Sequence, residues 1–216
     1  MLASNSPRRR ELLALTGWTF QVRPASIDES VLPGEAPAAY VLRLAVGKAR
    51  AAAQMESDAA WVIGSDTTVA NGEEILGKPA GAEEAADMLR ALRGHAHTVY
   101  TAVALVDCAS GLLETEVCAT AVPMRAYSEA EIDAYVASGD PLDKAGAYAI
   151  QHPGFHPVER LEGCFASVMG LPLCHLQRAA LRLGRAPMRD VPAACRQFLE
   201  YACPIYSRVL AGEDVG

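Results

Sequence analysis

The chain has 216 residues, of which 51% are hydrophobic and 21% are charged, which is typical of a folded protein with one full α/β core. Its 26 acidic residues outnumber its 19 basic ones, and the resulting net charge of −7 argues against a protein that binds nucleic-acid polymers through their phosphates. No apolar run predicts a signal peptide or a membrane span. The six cysteines have no metal-binding or C-x-x-C spacing, so we expect reduced thiols and a cytoplasmic enzyme.

Apolar runs and turn residues predict the elements of the first third of the chain. In chain order we expect the end of a strand at 2–3, a helix at 7–17, a strand at 18–22, a loop at 24–37, a helix at 38–55 and a short buried strand at 61–64.

The remaining elements follow the same signals. Asn71-Gly72 predicts a hairpin between 68–70 and 75–76, and Ser128 with Glu131 predicts a capping box. We expect helices at 81–93, 128–138 and 172–183, long antiparallel strands at 97–106 and 113–124, a segment rich in glycine and proline at 139–170, and a tail at 185–216. Strands and helices in this order predict one α/β domain around a twisted mixed sheet.

Three consecutive arginines, Arg8, Arg9 and Arg10, fall at the start of the first predicted helix, where Ser6 is the expected N-cap and Pro7 the first helical residue. Free N–H groups and the helix dipole already make this end positive, which disfavours each added cation by about 0.3–1 kcal/mol. A polyphosphate bound here would reverse that penalty, because arginine forks hold phosphate oxygens in pairs. A solvated basic surface is the alternative interpretation.

Ser65-Asp66-Thr67 follows the short buried strand predicted at 61–64. Ligands of open α/β sheets collect at the carboxyl ends of strands, and an aspartate there can bind a divalent metal or accept a proton from water. A turn or a helix cap is the alternative role for this aspartate.

Three further charged residues, Glu29, Lys48 and Lys78, are isolated in the sequence, and each is an ordinary surface group unless the fold gathers them. The segment 143–151 combines small residues, which allow a ligand to approach the backbone, with Gln151, whose amide can read the edge of a nucleobase. The same segment is also compatible with a simple turn. His152 and His156 are separated by Pro153 and Gly154, which makes metal binding by this pair improbable.

No phosphate-binding P-loop and no dinucleotide-binding glycine motif occurs in the chain. Instead, residues 1–184 resemble the Maf family of nucleoside triphosphate pyrophosphatases through seven stretches in register. These are LASNSPRRRELL at 2–13, IDE at 27–29, YVLRLAVGKA at 40–49, GSDTTVANGEEILGKP at 64–79, HTVYTAVAL at 97–105, ASGDPLDKAGAYAIQ at 137–151 and SVMGLPL at 167–173.

The resemblance implies an α/β fold with a twisted mixed sheet, flanking helices and a deep substrate cleft, often in a homodimer. It implies hydrolysis of a nucleoside triphosphate to the monophosphate and pyrophosphate, with a divalent cation, Mg²⁺ or Mn²⁺. By resemblance, the catalytic residues are Asp66, Glu29, Lys48 and Lys78, of which Asp66 and Glu29 would also hold the metal. Ser4 and Arg9 would hold phosphate. Residues 185–216 lie outside the resemblance, as an extension without an assigned role.

Arg8, Thr67 and Gln151 match the members of the family that resemble dTTP/UTP pyrophosphatases. A sister group acting on 7-methyl-GTP carries a bulky aromatic residue, a glutamine and a glutamate at these places. The sequence therefore favours dTTP, UTP or modified pyrimidine triphosphates as substrates. The alternatives are the 7-methyl-GTP activity and a nucleotide-binding regulator of division and septum formation.

Overall fold

The computed structural model describes residues 1–55 and 60–216. Its helices and strands are, in chain order, α1 (Pro7–Ala14), α2 (Pro37–Met55), β1 (Trp61–Asn71), β2 (Glu74–Leu76), α3 (Ala82–Leu92), β3 (Ala96–Asp107), β4 (Leu113–Pro123), α4 (Glu129–Ala137), α5 (Phe165–Met169), α6 (Leu173–Arg182), α7 (Val191–Phe198) and α8 (Tyr206–Leu210). Two short 3₁₀ helices, Asp140–Asp143 and Ala145–Ala147, separate α4 from α5. None of the described helices is both long and apolar enough to cross a membrane.

Local sequence signals set several of these boundaries as predicted. Ser6 caps α1 by accepting a hydrogen bond from the backbone N–H of Arg9, and the capping box of Ser128 and Glu131 opens α4. The Asn71-Gly72 hairpin joins β1 to β2, with Gly72 at φ 62°. This positive φ suits glycine because it has no Cβ.

The four strands form one sheet in the order β2–β1–β3–β4, and every neighbouring pair is antiparallel. The α/β class with flanking helices is confirmed. Parallel pairing is confined to Leu2, which forms isolated bridges with Val22 and Ile63. The strand predicted at 18–22 is therefore wrong except for this one bridge, and the strand end predicted at 2–3 is reduced to Leu2.

The prediction that a strand ends before Ser65 is also wrong. Strand β1 runs on to Asn71 because it pairs with β3 along almost its whole length, from Trp61 opposite Asp107 to Ala70 opposite Thr98. Asp66 consequently lies inside a long antiparallel strand, and the rule for the carboxyl ends of parallel strands does not explain its position.

One edge of β1 is covered only at its two ends. At one end the segment 1–3 pairs with Ile63 through two hydrogen bonds of 2.8 Å, Ala3 N to Ile63 O and Ile63 N to Met1 O. At the other end β2 pairs with Val69–Asn71. The stretch 64–68 lies between these two partners, and its edge is the place where a pocket opens.

Side chains of β1 alternate between the two faces of the sheet. Gly64 faces α2 so closely that a Cβ there would lie 2.2 Å from the carbonyl oxygen of Ala45. Asp66, two residues on, points to the same face, whereas Ser65 and Thr67 point to the opposite face, towards α5. The absence of a side chain at position 64 therefore lets α2 lie directly on the strand that carries Asp66.

The core has three clusters of buried apolar side chains. One lies between α2 and the sheet and includes Val41, Ala45 and Val62. The other two lie on the opposite face, one with α1, α5 and α6 and one with α3 and α4. The sheet is thus covered by helices on both faces, as an α/β core requires.

The segment 185–216, where the sequence predicted no element, contains α7 and α8. Val191, Ile205 and Val209 from this segment are buried in the core cluster that includes α6. Its last residues also bond the domain, since the Val215 carbonyl lies 3.1 Å from the Nε2 atom of buried His175. The segment therefore completes the core of the domain.

Candidate active site

A pocket of about 810 Å³ lies at the uncovered edge of β1. All nine residues that the sequence predicted for a site line it, although they come from six separate parts of the chain: Ser4, Arg8, Arg9, Glu29, Lys48, Asp66, Thr67, Lys78 and Gln151. Residues 3–9 and the edge of β1 form one side, while the residues after β2 and the segment 143–151 form the other. The fold therefore gathers the charges that are isolated in the sequence.

Lys48 lies between two carboxylates in this pocket. Its Nζ donates to Asp66 Oδ1 at 2.6 Å and lies 2.7 Å from Glu29 Oε1. Lys48 and Asp66 are 9% and 7% exposed, so each charge compensates the burial of the other. The side chain of Glu29 is 54% exposed and reaches the lysine from the solvent side.

A short loop places Glu29 at this position. Arg43, on α2, forms a two-pronged ion pair with Glu35, with both distances at 2.6 Å, and also donates to the carbonyl of Ser30 at 2.9 Å. Tyr40 donates its hydroxyl to the carbonyl of Glu29 at 2.9 Å. Helix α2 therefore supplies Lys48 and also holds the loop that brings Glu29 to it.

Arg9 is fixed by three acceptors from three different elements. Its Nε donates to the Gly170 carbonyl at 2.8 Å, and its two terminal nitrogens donate to Ser4 Oγ at 3.2 Å and Thr67 Oγ1 at 3.1 Å. Desolvation lowers the pKa of this guanidinium, and the negative charge of Asp66 opposes that shift. No carboxylate is in contact with Arg9 among the described residues, so its charge remains available to an anion in the pocket.

Arg8 also lines the pocket and is half-buried, whereas Arg10 is exposed and lies outside the lining. The buried Nε of Arg8 has no hydrogen-bond partner among the described residues. Two of the three arginines therefore face the pocket, as expected for an anion site at the start of α1.

Lys78 and Gln151 border the pocket on its opposite side, and both are exposed. Lys78 follows β2 by two residues, so the hairpin positions it. The segment that leads to Gln151 is tied to the same hairpin, because the Gly146 N–H donates to the Gly77 carbonyl at 3.1 Å. At Gly146, with φ 68°, a Cβ would lie within 3 Å of Val69, so only glycine fits here.

Sequence reasoning missed several polar and aromatic residues of the lining, among them Asn5, Tyr40 and Tyr148. Asp143 and Lys144 were indicated only as members of the segment 143–151. Lys144 is 8% exposed, and its Nζ lies 2.7 Å from Asp143 Oδ1 and 3.0 Å from Asp140 Oδ1. The signal in the sequence that could have marked this second charged cluster is the spacing of Asp140 and Asp143, four and one residues before Lys144.

His152 is bonded to the backbone of its own segment. The Nδ1 of His152 accepts backbone hydrogen bonds from Gly154 and Phe155, which gives this histidine a structural role. Within residues 1–55 and 60–216, no group of three or more His, Cys, Asp or Glu side chains has the arrangement of a metal site. Mg²⁺ does not need three protein ligands, because it often takes one or two carboxylates and completes its shell with substrate phosphates and water. The two carboxylates Glu29 and Asp66 suit a cation bound in this way.

Fold and pocket together describe an α/β protein whose cationic pocket, with carboxylates at one side, suits a polyphosphate anion. The model of the family described as "Maf-like protein" matches residues 1–183. The chain belongs to the Maf family.

Curated relatives align with most of the chain. A dTTP/UTP pyrophosphatase of Myxococcus xanthus (strain DK1622) is 52% identical over 187 residues, which cover 85% of this chain and 93% of the relative. Proteins of the same name from Anaeromyxobacter dehalogenans (strain 2CP-1 / ATCC BAA-258) and Pelotomaculum thermopropionicum (strain DSM 13744 / JCM 10971 / SI) are 50% and 47% identical. Each of these two matches also covers 85% of this chain, with 93% and 96% of the respective relative.

Proposed function

We propose that this protein hydrolyses dTTP and UTP to their monophosphates and pyrophosphate. This proposal is carried by the composition of one pocket. Lys48 forms ion pairs there with both Glu29 and Asp66, and Arg8, Arg9 and Lys78 line the same pocket. The names of relatives that are about half identical to the chain support the choice of substrate.

The cations of the pocket explain how the triphosphate would be held. Arg9 retains unused N–H groups on both terminal nitrogens, since three of its five donors are engaged by the protein. These donors, with Ser4 beside them and Lys78 across the pocket, suit the β- and γ-phosphates. The same groups would stabilise the negative charge that develops on the departing pyrophosphate.

Asp66 is the proton acceptor in this proposal. Water attacks the α-phosphorus, the bond from that phosphorus to the pyrophosphate oxygen breaks, and the proton of the water passes to the Asp66 carboxylate. Lys48 keeps this carboxylate oriented through its 2.6 Å hydrogen bond. Glu29 contacts the same ammonium group from its solvent side and brings a second carboxylate to the pocket.

A divalent cation, Mg²⁺ or Mn²⁺, would be held by Asp66 and Glu29 together with phosphate oxygens, and when bound it supplies positive charge at the reacting phosphates. Because Lys48 lies between the two carboxylates, one oxygen of each is already engaged. The second oxygen of each carboxylate remains for the cation or for water.

Discrimination between bases falls to Gln151 and Arg8, which line the pocket from opposite sides. A site that pairs its polar groups with one base rejects another base that would leave them unpaired, often by several kcal/mol. The Gln151 amide offers both a donor and an acceptor, which suits the alternating pattern of a pyrimidine edge.

A panel of nucleoside triphosphates, with release of pyrophosphate as the readout, tests the proposed function. We expect the highest kcat/KM with dTTP and UTP, and we expect Asp66→Asn to lower kcat by about 10²–10⁴ at temperatures where the variant is folded. Release of orthophosphate in place of pyrophosphate would contradict the reaction. A preference for 7-methyl-GTP would contradict the substrate, and nucleotide binding without turnover would indicate a regulator. Near-normal turnover by a folded Asp66→Asn variant would remove Asp66 from the mechanism.

A further inference from the structure

Two threonine hydroxyl groups link Arg9, at the pocket, to the buried interior of the protein. Arg9 Nη2 lies 3.1 Å from Thr67 Oγ1, Thr67 Oγ1 lies 3.0 Å from Thr101 Oγ1, and Thr101 Oγ1 lies 2.8 Å from the Ser167 carbonyl oxygen. Thr101 is fully buried on β3, directly opposite Thr67 on β1 in the strand register. Thr101 does not line the pocket.

The chemistry of these groups fixes the direction of every hydrogen bond that links them. The Ser167 carbonyl can only accept, so the single proton of Thr101 points to it. The Thr67 hydroxyl must then donate to Thr101 Oγ1, which leaves its lone pairs for the guanidinium of Arg9. Donation therefore runs one way, from Arg9 through Thr67 and Thr101 to Ser167, and bonds aligned in this way strengthen one another.

The turn after α5 holds the other side of the guanidinium. The Gly170 carbonyl accepts from Arg9 Nε at 2.8 Å, and it lies 3.0 Å from the buried Ser65 hydroxyl, which also lies 2.9 Å from the Ala102 carbonyl. Arg9 is thus held between β1 and the segment that contains Ser167 and Gly170. Without the hydroxyl of Thr101, the proton of Thr67 would lose its only acceptor within this network and could turn towards Arg9, where it would oppose the guanidinium.

We propose that Thr101 is a positioning residue for phosphate binding, because it orients the Thr67 hydroxyl and thereby holds Arg9 against the pocket. This proposal rests on the proposed function, in which Arg9 contacts the phosphates of the substrate. It also implies that Thr67 acts on the substrate only through Arg9. The proton and a lone pair of the Thr67 hydroxyl are both used in bonds within the protein.

Thr101→Val tests the proposal, because valine keeps the shape of threonine and removes the hydroxyl. We expect the Kd for inorganic pyrophosphate in the presence of Mg²⁺ and the KM for dTTP to rise about tenfold each, the size of effect expected when a hydrogen bond to a charged group is weakened. The kcat should change less than KM. Thr101→Ser, which restores the hydroxyl, should return both constants to within about twofold of the wild-type values.

Thr120→Val is the matched control, since Thr120 is equally buried on β4 and its hydroxyl contacts only the thiol of Cys118, at 3.6 Å. If Thr101 has only a structural role, Thr101→Val should behave like Thr120→Val: the unfolding temperature falls and the Kd for pyrophosphate stays unchanged. This result would overturn the proposal. Thr101→Cys, with a weak S–H donor, replaces the valine variant if that variant does not fold, and the same rise in Kd is expected.

A double-mutant cycle asks whether Thr101 acts through Thr67. If it does, Thr101→Val combined with Thr67→Val should bind pyrophosphate no more weakly than Thr67→Val alone. Additive losses would overturn the proposal. A wild-type protein that binds pyrophosphate but hydrolyses neither dTTP nor UTP would refute the proposed function alone, because pyrophosphate affinity still ranks the variants. A wild-type protein that does not bind pyrophosphate would overturn the inference.

Discussion

Single residues in the pocket depend on neighbours that are distant in the chain. Lys48 is buried between Glu29 and Asp66, and removing either carboxylate would leave the ammonium group partly unpaired in a poorly solvated site. Arg9 depends in the same way on Ser4 and Thr67. At the scale of the residue, Lys48 and Arg9 are held by partners that also line the pocket.

The first prediction for individual residues concerns selectivity between bases. Changing Arg8→Trp, Thr67→Gln and Gln151→Glu together should weaken or reverse the preference for dTTP and UTP over 7-methyl-GTP, because a glutamate accepts from the exocyclic amine of a purine. The measurement is kcat/KM for the three nucleotides. An unchanged ranking at a lower rate would show that these residues do not set selectivity.

Two single variants distinguish an effect on the binding of all nucleotides from an effect on the choice of base. Because the hydroxyl of Thr67 bonds Arg9, Thr67→Gln alone should lower kcat/KM for all three nucleotides by displacing the guanidinium. Gln151 is exposed at the border of the pocket, so Gln151→Glu alone should change the ranking and preserve the fold.

A buried histidine makes stability depend on pH. His97 is 3% exposed, its Nε2 lies 2.8 Å from the Tyr148 hydroxyl, and burial lowers its pKa to about 4. Between pH 6.5 and 4 the unfolded chain binds a proton that the folded chain does not, so stability falls as the pH falls through this window. From pH 7 to pH 5 we expect a loss of about 2 kcal/mol in the free energy of unfolding from this group.

Urea unfolding at pH 7 and pH 5 measures this loss in the wild type and in His97→Asn. The variant lacks the titrating group, so its stability should fall less over the same interval, whatever its stability at pH 7. Equal losses in the two proteins would show that His97 does not supply the pH dependence.

Strand β1 is the element that organises the site. Its alternation directs Asp66 to α2 and Thr67 to the turn after α5, so one strand supplies the carboxylate that we propose as proton acceptor and the support of the arginine that we propose to bind phosphate. Its uncovered edge between the segment 1–3 and β2 is where the pocket opens. The contact between α2 and β1 at Gly64 sets how closely Lys48 approaches Asp66.

Gly64→Ala should therefore damage both stability and activity. The new Cβ would lie 2.2 Å from the Ala45 carbonyl oxygen and 2.7 Å from the Ala49 nitrogen, so α2 has to move away from the strand. We expect a loss of at least about 1–3 kcal/mol in the free energy of unfolding and a lower kcat at temperatures where the variant is folded.

Gly81→Ala is the control for this substitution, because a Cβ at Gly81 meets no atom within 4 Å and its φ is extended. Its stability and kcat should stay close to the wild-type values. A Gly64→Ala variant with wild-type kcat would show that the spacing between α2 and β1 does not set the geometry of Lys48 and Asp66.

At the scale of the whole molecule, the segment 185–216 is part of the core although the family match ends at residue 183. Tyr201 donates to the carbonyls of Leu161 and Gly163, just before the turn that holds Arg9. We propose that residues 1–184 contain the catalytic machinery and that 185–216 stabilise them. Deleting the extension would expose the core cluster that contains Ile205 and Val209.

A point variant measures this stabilisation without removing the segment. Ile205→Ala should lower the free energy of unfolding by about 2–5 kcal/mol, because Ile205 is only 7% exposed. Leu210→Ala, in α8 at 36% exposure, should cost clearly less. Both variants should keep the wild-type kcat/KM well below their unfolding temperatures. A loss of activity in folded Ile205→Ala would show that the extension shapes the pocket itself.

Signals confined to a few neighbouring residues were enough to predict much of this protein. The caps at Ser6 and Ser128, the hairpin at Asn71-Gly72 and the antiparallel pair β3–β4 could be predicted because hydrogen bonds within a turn, or the alternation of one strand, decide them. The family followed from seven stretches in register, and the family match confirms it.

Long-range pairing decided the rest. The length of β1 depends on the facing strand β3, so the sequence around Asp66 alone predicted the end of a strand where the strand continues. The contact of Lys48 with Asp66 depends on how closely α2 approaches Gly64, and the bonds from Arg9 to Thr67, Thr101 and Ser167 depend on strand register. The sequence by itself determined the caps, the hairpin and the set of candidate residues that line the pocket. Only the tertiary structure determined their geometry, because burial and hydrogen bonding between distant segments act only once the chain is folded.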